Sequence, residues 1–523
     1  MRPLVITLAA VAAAVAAAGC GGTSPRSSGY VSYHEPSQGW TARVPSGWTA
    51  VGTGPEFVRN DPLIDPTRLF LQTYRGTTPS RALQQLASLA GFVVVGKEGK
   101  RFDGTLEWQR YRGVVNGSPG VAVEAAAAAD RGDAGVAAIV ARRPELAGLV
   151  KTALLPALDS FTPGRPVAQA SVLASAPPDP SYWPTNGWRT AAPSSQGMNA
   201  RSLAAMVAEI RRARMPIDSV TVIRHGYVVL DESFGRFAKR SLPEPYASGG
   251  MHELQSATKS VTSMLLGIAL GRDASSGVTA DTPVWRLAAA VDYVPAKLDP
   301  RKRAMTLADL LTMQSGLAWK ETGYAYKPGS GNDVMAMFGT NNWTKYTVDR
   351  PMASQPGTVF NYNSGGAHLV SGAVTILTHE TAAAYATQRL FTPLGIRTHK
   401  WLVAPEGINA GGFGLLLRPR DLAKLGFLYL HHGNWNGRQI VPARWVQKST
   451  TDQVADPLFE YGYLWWLDRA DGYAYMAGLY GQLAAVIPGK DLVVVISAHI
   501  PPTMDSSTIT RWLLAHYILP AAH

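Results

Sequence analysis

The chain of 523 residues has a single cysteine, Cys20. A lone thiol cannot pair within its own chain, so an internal disulfide framework is excluded. Charge is also sparse. Asp, Glu, Lys and Arg make up 16% of the residues against 46% hydrophobic ones, which excludes a disordered chain and permits a large buried core. Acidic residues are the scarcer sign, 37 Asp and Glu against 49 Lys and Arg, for a formal net charge of +12. The excess is spread along the chain, with short clusters at Arg211–Arg212–Arg214 and Arg301–Lys302–Arg303. It reads as a solvated basic surface, with attraction to anionic envelope polymers as the sharper alternative. Beyond the N-terminus no stretch is long and apolar enough to span a bilayer, and no internal repeat is visible.

What is present begins with "MRPLVITLAAVAAAVAAAGCGGTSPRSS". Arg2 precedes an apolar run from Leu4 to Ala18 that is short for a membrane span and is followed by small residues. This is the pattern of an export signal. It directs the chain out of the cytoplasm and so argues against nucleic acid as a partner. The "AAG" before Cys20 resembles the bacterial lipoprotein signal, with Ala17 standing where that family usually has leucine. The resemblance implies a signal peptide over residues 1–19, lipidation at Cys20 and anchoring to the outer face of the cell membrane. An ordinary secretory signal with an incidental cysteine is the alternative.

Residues 20–29 read as a tether. Residues 30–163 read as a small α+β domain. "GWTARVPSGWTAVG" gives two short strands about a Pro-Ser-Gly turn, and "RLFLQTYRG", "FVVVG", "EWQRYRGVV" and "VAAIVAR" give further strands. "TTPSRALQQLASLAG" is a helix with Thr78 as N-cap, Pro79 in its first turn and Gly91 past its end, and "PELAGLVKTALLPALDSF" is a second helix. In pattern this domain resembles PsbP/Mog1-type modules of exported lipoproteins, which implies a spacing or binding role, with an envelope partner as one possibility. Residues 164–186, rich in proline, alanine and serine, read as a linker. Residues 187–523 form one larger unit, with strands at both of its sequence ends and helices between them. That order predicts an α+β fold in which an antiparallel sheet is flanked by helices and interrupted by a mostly helical insertion.

Within that unit, "HELQSATKSVTSMLLGIALG" places Ser256 three residues before Lys259. On a helix, Ser256, Lys259, Ser260, Ser263 and Gly267 fall on one narrow stripe, and apolar residues cover most of the remainder. Such a helix belongs in a core, so its polar stripe faces a cleft or a packed neighbour. A serine hydroxyl needs a base to become a nucleophile. A lysine pressed into apolar surroundings loses solvation of its charged form and can serve as that base. The plainer reading makes Ser256 an N-cap and Lys259 a snorkelling surface lysine.

Further segments follow in order: "TLADLLTMQSGL", expected as a helix over Thr306–Leu317; "QPGTVFNYNSGGAHLVSG", with Tyr362 and Ser364 just before a helix; and "YMAGLYGQLAAVIPGKDLVVVIS", a glycine-broken strand and hairpin. Together with Ser-x-x-Lys, they resemble the serine β-lactamase/penicillin-binding-protein superfamily over roughly residues 187–520. The likeness is to its class C β-lactamase-like branch, which includes esterases and 6-aminohexanoate-dimer hydrolases. The resemblance implies Ser256 as nucleophile, Lys259 as the lysine that activates it and Tyr362 as proton shuttle. It also implies an oxyanion hole from the N–H groups of Ser256 and Leu479, with Gly478 matching the glycine of the Lys-Thr-Gly strand motif.

Two departures bear on substrate. Ser364 replaces the asparagine of Tyr-x-Asn, and Met476 and Ala477 stand where that motif has Lys-Thr. Methionine cannot grip a carboxylate by charge, so an ester or small amide fits better than a β-lactam or a D-Ala-D-Ala peptide. Ser364, Gly478, Gln482 and Trp465 are candidate substrate contacts. Trp465 and Trp466 either line the cleft or fill the core. His431–His432 read as loop surface rather than metal ligands, and His499 as structural or as a group supporting the site. No metal or organic cofactor is implied. The expected protein is an exported serine hydrolase acting on a small ester or amide. A D,D-peptidase, a β-lactamase and a non-catalytic binding lipoprotein are its rivals.

Overall fold

A computed structural model describes residues 29–35, 38–51, 56–115, 118–164, 171–234, 250–272, 277–285, 299–322, 324–454, 460–501, 504 and 506–523. The expected export signal, Cys20 and all of the tether but Gly29 lie outside them. The first unit is built on a seven-stranded antiparallel sheet. Its central hairpin joins Val121–Asp130 to Asp133–Arg142, and the turn places Arg131 and Gly132 at φ 46° and 98°. Two positive φ values give the twist that a tight hairpin needs. Alternate residues of these strands face opposite layers. Ala125, Ala127, Val136 and Ala138 pack against the helix Pro79–Leu89, while Ala126, Ala128, Ala137 and Ile139 pack against the helical stretch Arg143–Leu158. Thr78 caps the first helix as expected, accepting from the Arg81 N–H. The second helix widens into a π turn at Val150–Leu154, just ahead of Pro156. Proline has no N–H to bond back four residues, and the freed Thr152 carbonyl accepts from the Tyr30 hydroxyl at 3.0 Å.

The larger unit carries an antiparallel sheet of six strands: β1 (Ile217–Arg224), β2 (Tyr227–Ser233), β3 (Trp466–Asp468), β4 (Tyr473–Gly478), β5 (Gln482–Ile487) and β6 (Leu492–Ala498). Their order across the sheet is β2-β1-β6-β5-β4-β3, so the first two strands of the unit close against the last. Both faces are covered. On one side Val220, Val222, Val494 and Ile496 meet the helices α1 (Ala200–Arg212) and Ser506–Leu513; on the other Ile223, Val493, Val495 and Met476 meet the insertion. Burial on both faces explains why β6 reads as a nearly unbroken apolar run. The insertion contributes α2 (Thr258–Arg272), α3 (Ser364–Thr378) and α4 (Pro419–Leu430). The helix expected over Thr306–Leu317 is confined to Leu307–Leu311: Met313 then takes φ 59° and Gly316 φ 75°, turning the chain away.

One expectation about organisation is revised. Residues 171–186 run as a packed strap rather than a free linker. Leu173 is buried in the main core, Ser171 Oγ lies 2.9 Å from Thr450 Oγ1, and Trp183 packs on Phe427 and Trp435. The two units also share a core, since Val51 and Val58 of the first join Trp512, Leu513 and Ile518 of the second.

Candidate active site

Ser256 sits in a short turn, Gln255–Ala257, that leads directly into α2. Gln255 holds φ 49°, an uncommon left-handed value for a residue with a side chain. The end of β4 lies against this turn. A Cβ on Gly478 would stand 2.2 Å from the Leu254 carbonyl oxygen, so only glycine lets the strand approach. Leu479 follows, half-buried, in the turn Leu479–Gly481.

Every residue from Thr258 to Ala269 is buried, and Lys259 is 1% exposed. Its ammonium position is defined by three oxygens: Ser256 Oγ at 3.0 Å, Ser364 Oγ at 2.9 Å and the Gly412 carbonyl at 2.8 Å. The Tyr362 ring lies 4.7 Å away, and the Tyr362 hydroxyl is hydrogen-bonded to Ser256. Burial lowers the Lys259 pKa to about 8, against an opposing pull from the Glu321 charge. Burial likewise pushes the Tyr362 phenol well above its ordinary value, so it stays protonated at working pH. Ser256 and Tyr362 are only half-buried, which leaves the pair reachable from solvent.

Tyr362 and Ser364 are held at the start of α3. Asn363 caps that helix through a 2.8 Å bond from the Gly366 N–H to its Oδ1. The free Ser364 N–H donates to Glu321 Oε2 at 2.8 Å, and Ser364 Oγ donates to Oε1 at 2.6 Å. Glu321 also accepts from Trp319 Nε1 at 2.7 Å and from Tyr326 OH at 3.0 Å. Gly411 and Gly412 wedge between α2 and α3. A Cβ on Gly411 would meet the Ala367 carbonyl oxygen at 2.2 Å, and the Gly411 oxygen accepts from Thr262 at 2.9 Å.

The structure thus brings Ser256, Lys259, Tyr362, Ser364 and Gly478 together. It separates two other candidates. Trp465 is fully buried and stacks on Tyr429 at 4.3 Å, so it fills the core; its neighbour Trp466 stacks on Tyr362 at 5.8 Å. Gln482 is buried, and its Nε2 donates to the Ala498 carbonyl at 2.6 Å, tying β5 to the end of β6 rather than facing the cleft. His431 is not loop surface. It packs between Trp183 and Phe427, and burial holds its pKa at about 4. His499 pairs with Asp218, which His252 Nδ1 also approaches at 3.6 Å, four residues before the serine. Among the described residues no cluster of His, Cys, Asp or Glu suits a metal ion. Glu321, Gly412 and Trp466 complete the surroundings; of these the sequence reading raised only Trp466. A cavity of about 290 Å³ between the two units, lined by Tyr74 and Arg75 from one and by Gln314, Val359 and Phe360 from the other, includes none of these residues.

A hydroxyl, a buried amine and a phenol within hydrogen-bond reach, beside a strand edge, can carry acyl transfer through a covalent intermediate. Residues 201–517 match the family model described as Beta-lactamase, and the chain belongs to that family of β-lactamase-fold hydrolases. Among solved structures, it resembles a protein assigned as a 6-aminohexanoate-dimer hydrolase from Bacillus anthracis, with 16% identity over 67% of this chain and 89% of that one and a TM-score of 0.50. It also resembles an octameric penicillin-binding protein homologue from Pyrococcus abyssi, with 22% identity over 60% and 76% of the two chains and a TM-score of 0.43. A third is a penicillin-binding protein homologue from Caulobacter crescentus, with 15% identity over 63% and 99% and a TM-score of 0.45. At these identities the likeness is one of fold. No curated protein sequence matches the chain.

Proposed function

We propose that the protein is an exported, lipid-anchored serine hydrolase that cleaves an ester or small amide. The observation that carries the reading is the contact of Lys259 Nζ with Ser256 Oγ inside a buried helix, with Tyr362 alongside. Lys259, as neutral amine, takes the serine proton while Ser256 Oγ forms its bond to the substrate carbonyl carbon. The negative charge that develops on the carbonyl oxygen is stabilised by the N–H groups of Ser256 and Leu479. Tyr362 gives its proton to the departing alcohol or amine and recovers one from Lys259. Water then attacks the acyl-serine, its proton passing to the same pair; the pair returns a proton to Ser256 Oγ as the Oγ–acyl bond breaks, and the carboxylic acid leaves.

The choice of ester or small amide rests on Met476. Its side chain is fully buried in the core, so the strand offers no cation where the family motif carries lysine. The test uses protein starting after Cys20, beside Ser256→Ala, with a short-chain p-nitrophenyl ester and a chromogenic cephalosporin. Ester turnover that vanishes in the variant, with little cephalosporin turnover, is expected. Fast cephalosporin turnover dependent on Ser256 would move the protein to the β-lactamase reading. For the anchor, Cys20→Ser is expected to release the protein from membranes into the soluble fraction.

A further inference from the structure

We infer that Glu321 is a positioning residue that, through Ser364, aims the lone pair of neutral Lys259 at Ser256. The argument is one of counting protons, and it rests on the serine hydrolase reading above. As a carboxylate, Glu321 has no proton to give, and it accepts four: from Trp319 Nε1, the Ser364 N–H, Ser364 Oγ and Tyr326 OH. A serine hydroxyl has one proton. Ser364 commits its proton to Glu321 Oε1 at 2.6 Å, so toward Lys259 Nζ at 2.9 Å it presents only a lone pair. The Gly412 carbonyl, at 2.8 Å on another side, is likewise an acceptor only. A neutral amine has two hydrogens and one lone pair. Both hydrogens are drawn to these acceptors, and the remaining direction is Ser256 Oγ at 3.0 Å. The base is therefore oriented before substrate arrives.

The same bookkeeping says what a neutral isostere does. In Glu321→Gln, the Trp319 indole and the Ser364 N–H, which can only donate, hold the amide oxygen on their side. The amide NH₂ then falls toward Ser364 Oγ and donates to it. The Ser364 proton is released toward Lys259, where it competes for the lone pair. Ser364→Asn keeps the original polarity, because an asparagine NH₂ can donate to Glu321 while its oxygen accepts from Lys259. Ser364→Ala removes the acceptor altogether.

The test measures the rate of covalent labelling of Ser256 by a fluorophosphonate across pH. In that reaction the Oγ–P bond forms, the P–F bond breaks, and the serine proton passes to Lys259. A drop of at least about tenfold is expected for Glu321→Gln, within the range a proton-transfer group supplies. Its acid limb should also move to lower pH, because the Glu321 charge that opposes deprotonation of Lys259 is gone. A purely structural defect would lower the plateau and leave that midpoint in place, and such a result overturns the inference, as does labelling at the wild-type rate. Ser364→Asn is expected to label at least about tenfold faster than Ser364→Ala; equal rates, in variants with matched melting temperatures, overturn it even if Glu321→Gln fails to fold. A wild-type protein that is not labelled at all sinks the hydrolase reading itself, and that is seen before any variant is made.

Discussion

At Lys259 two opposed effects set the working pH. Burial strips water from the ammonium form, the Glu321 charge restores part of its stability, and the balance is a pKa of about 8. The ammonium form has no lone pair, so with Lys259 as the proposed base activity is expected to be lost as pH falls through that value and to be retained above it. We expect kcat/KM for an ester to rise along an acid limb with a midpoint near pH 8, measured on the soluble protein. A limb centred near the histidine range would assign the base elsewhere. Tyr362, held protonated by burial, should add no descending limb at moderately alkaline pH. At this scale Ser256 and Lys259 could be paired because their spacing is local, and Tyr362, 103 residues beyond Lys259, could be singled out only because it stands in a recognisable ordered series of motifs. Glu321 was not. It reaches Ser364 across 43 residues of sequence, and nothing in "GLAWKE" marks a carboxylate that will be buried under four donors.

Among the elements, α2 shows how closely the site's support is packed. Gly267 lies mid-helix against Trp445, where an added Cβ would stand 2.4 Å from the ring carbons. On an exposed helix Gly→Ala would stabilise by about 1 kcal/mol. Here the indole is itself buried, and its Nε1 is hydrogen-bonded to Ser263 Oγ at 3.3 Å, so overpacking outweighs propensity at a cost of about 1–3 kcal/mol. Gly267→Ala is thus expected to lower the midpoint of urea unfolding, and a raised midpoint would mean that Trp445 yields. The helix Pro79–Leu89 could be read beforehand because caps are local signals. The strand Val121–Asp130 could not. Its five consecutive alanines, Ala125–Ala129, favour a helix by propensity, and they form a strand because small side chains let helices pack closely on both faces of the sheet.

Across the whole molecule, the first unit is fixed to the second by buried contacts. Val58 is fully buried in the core that holds Trp512, and Thr49 Oγ1 lies 2.8 Å from His516 Nδ1. Val58→Asp would place a carboxylate there without a built-in partner, at a cost of about 3 kcal/mol or more. A lower melting temperature is expected, and an unchanged one would show that the shared core does not bind the units. This docking could not be read from the sequence, because Thr49 and His516 stand 467 residues apart and no local pattern links them. The order of the sheet has a consequence for synthesis. β6 lies between β1 and β5, so one edge of β1 has no neighbour until β6 has been made. About 270 residues separate the two strands, and at roughly 5–20 residues per second that gap lasts on the order of 15–55 s. During that interval the growing chain gains Ser256 and Lys259 before it gains β4, whose end at Gly478 lies against the serine turn, so the proposed hydrolysis is expected to begin only after the end of the sheet has been made.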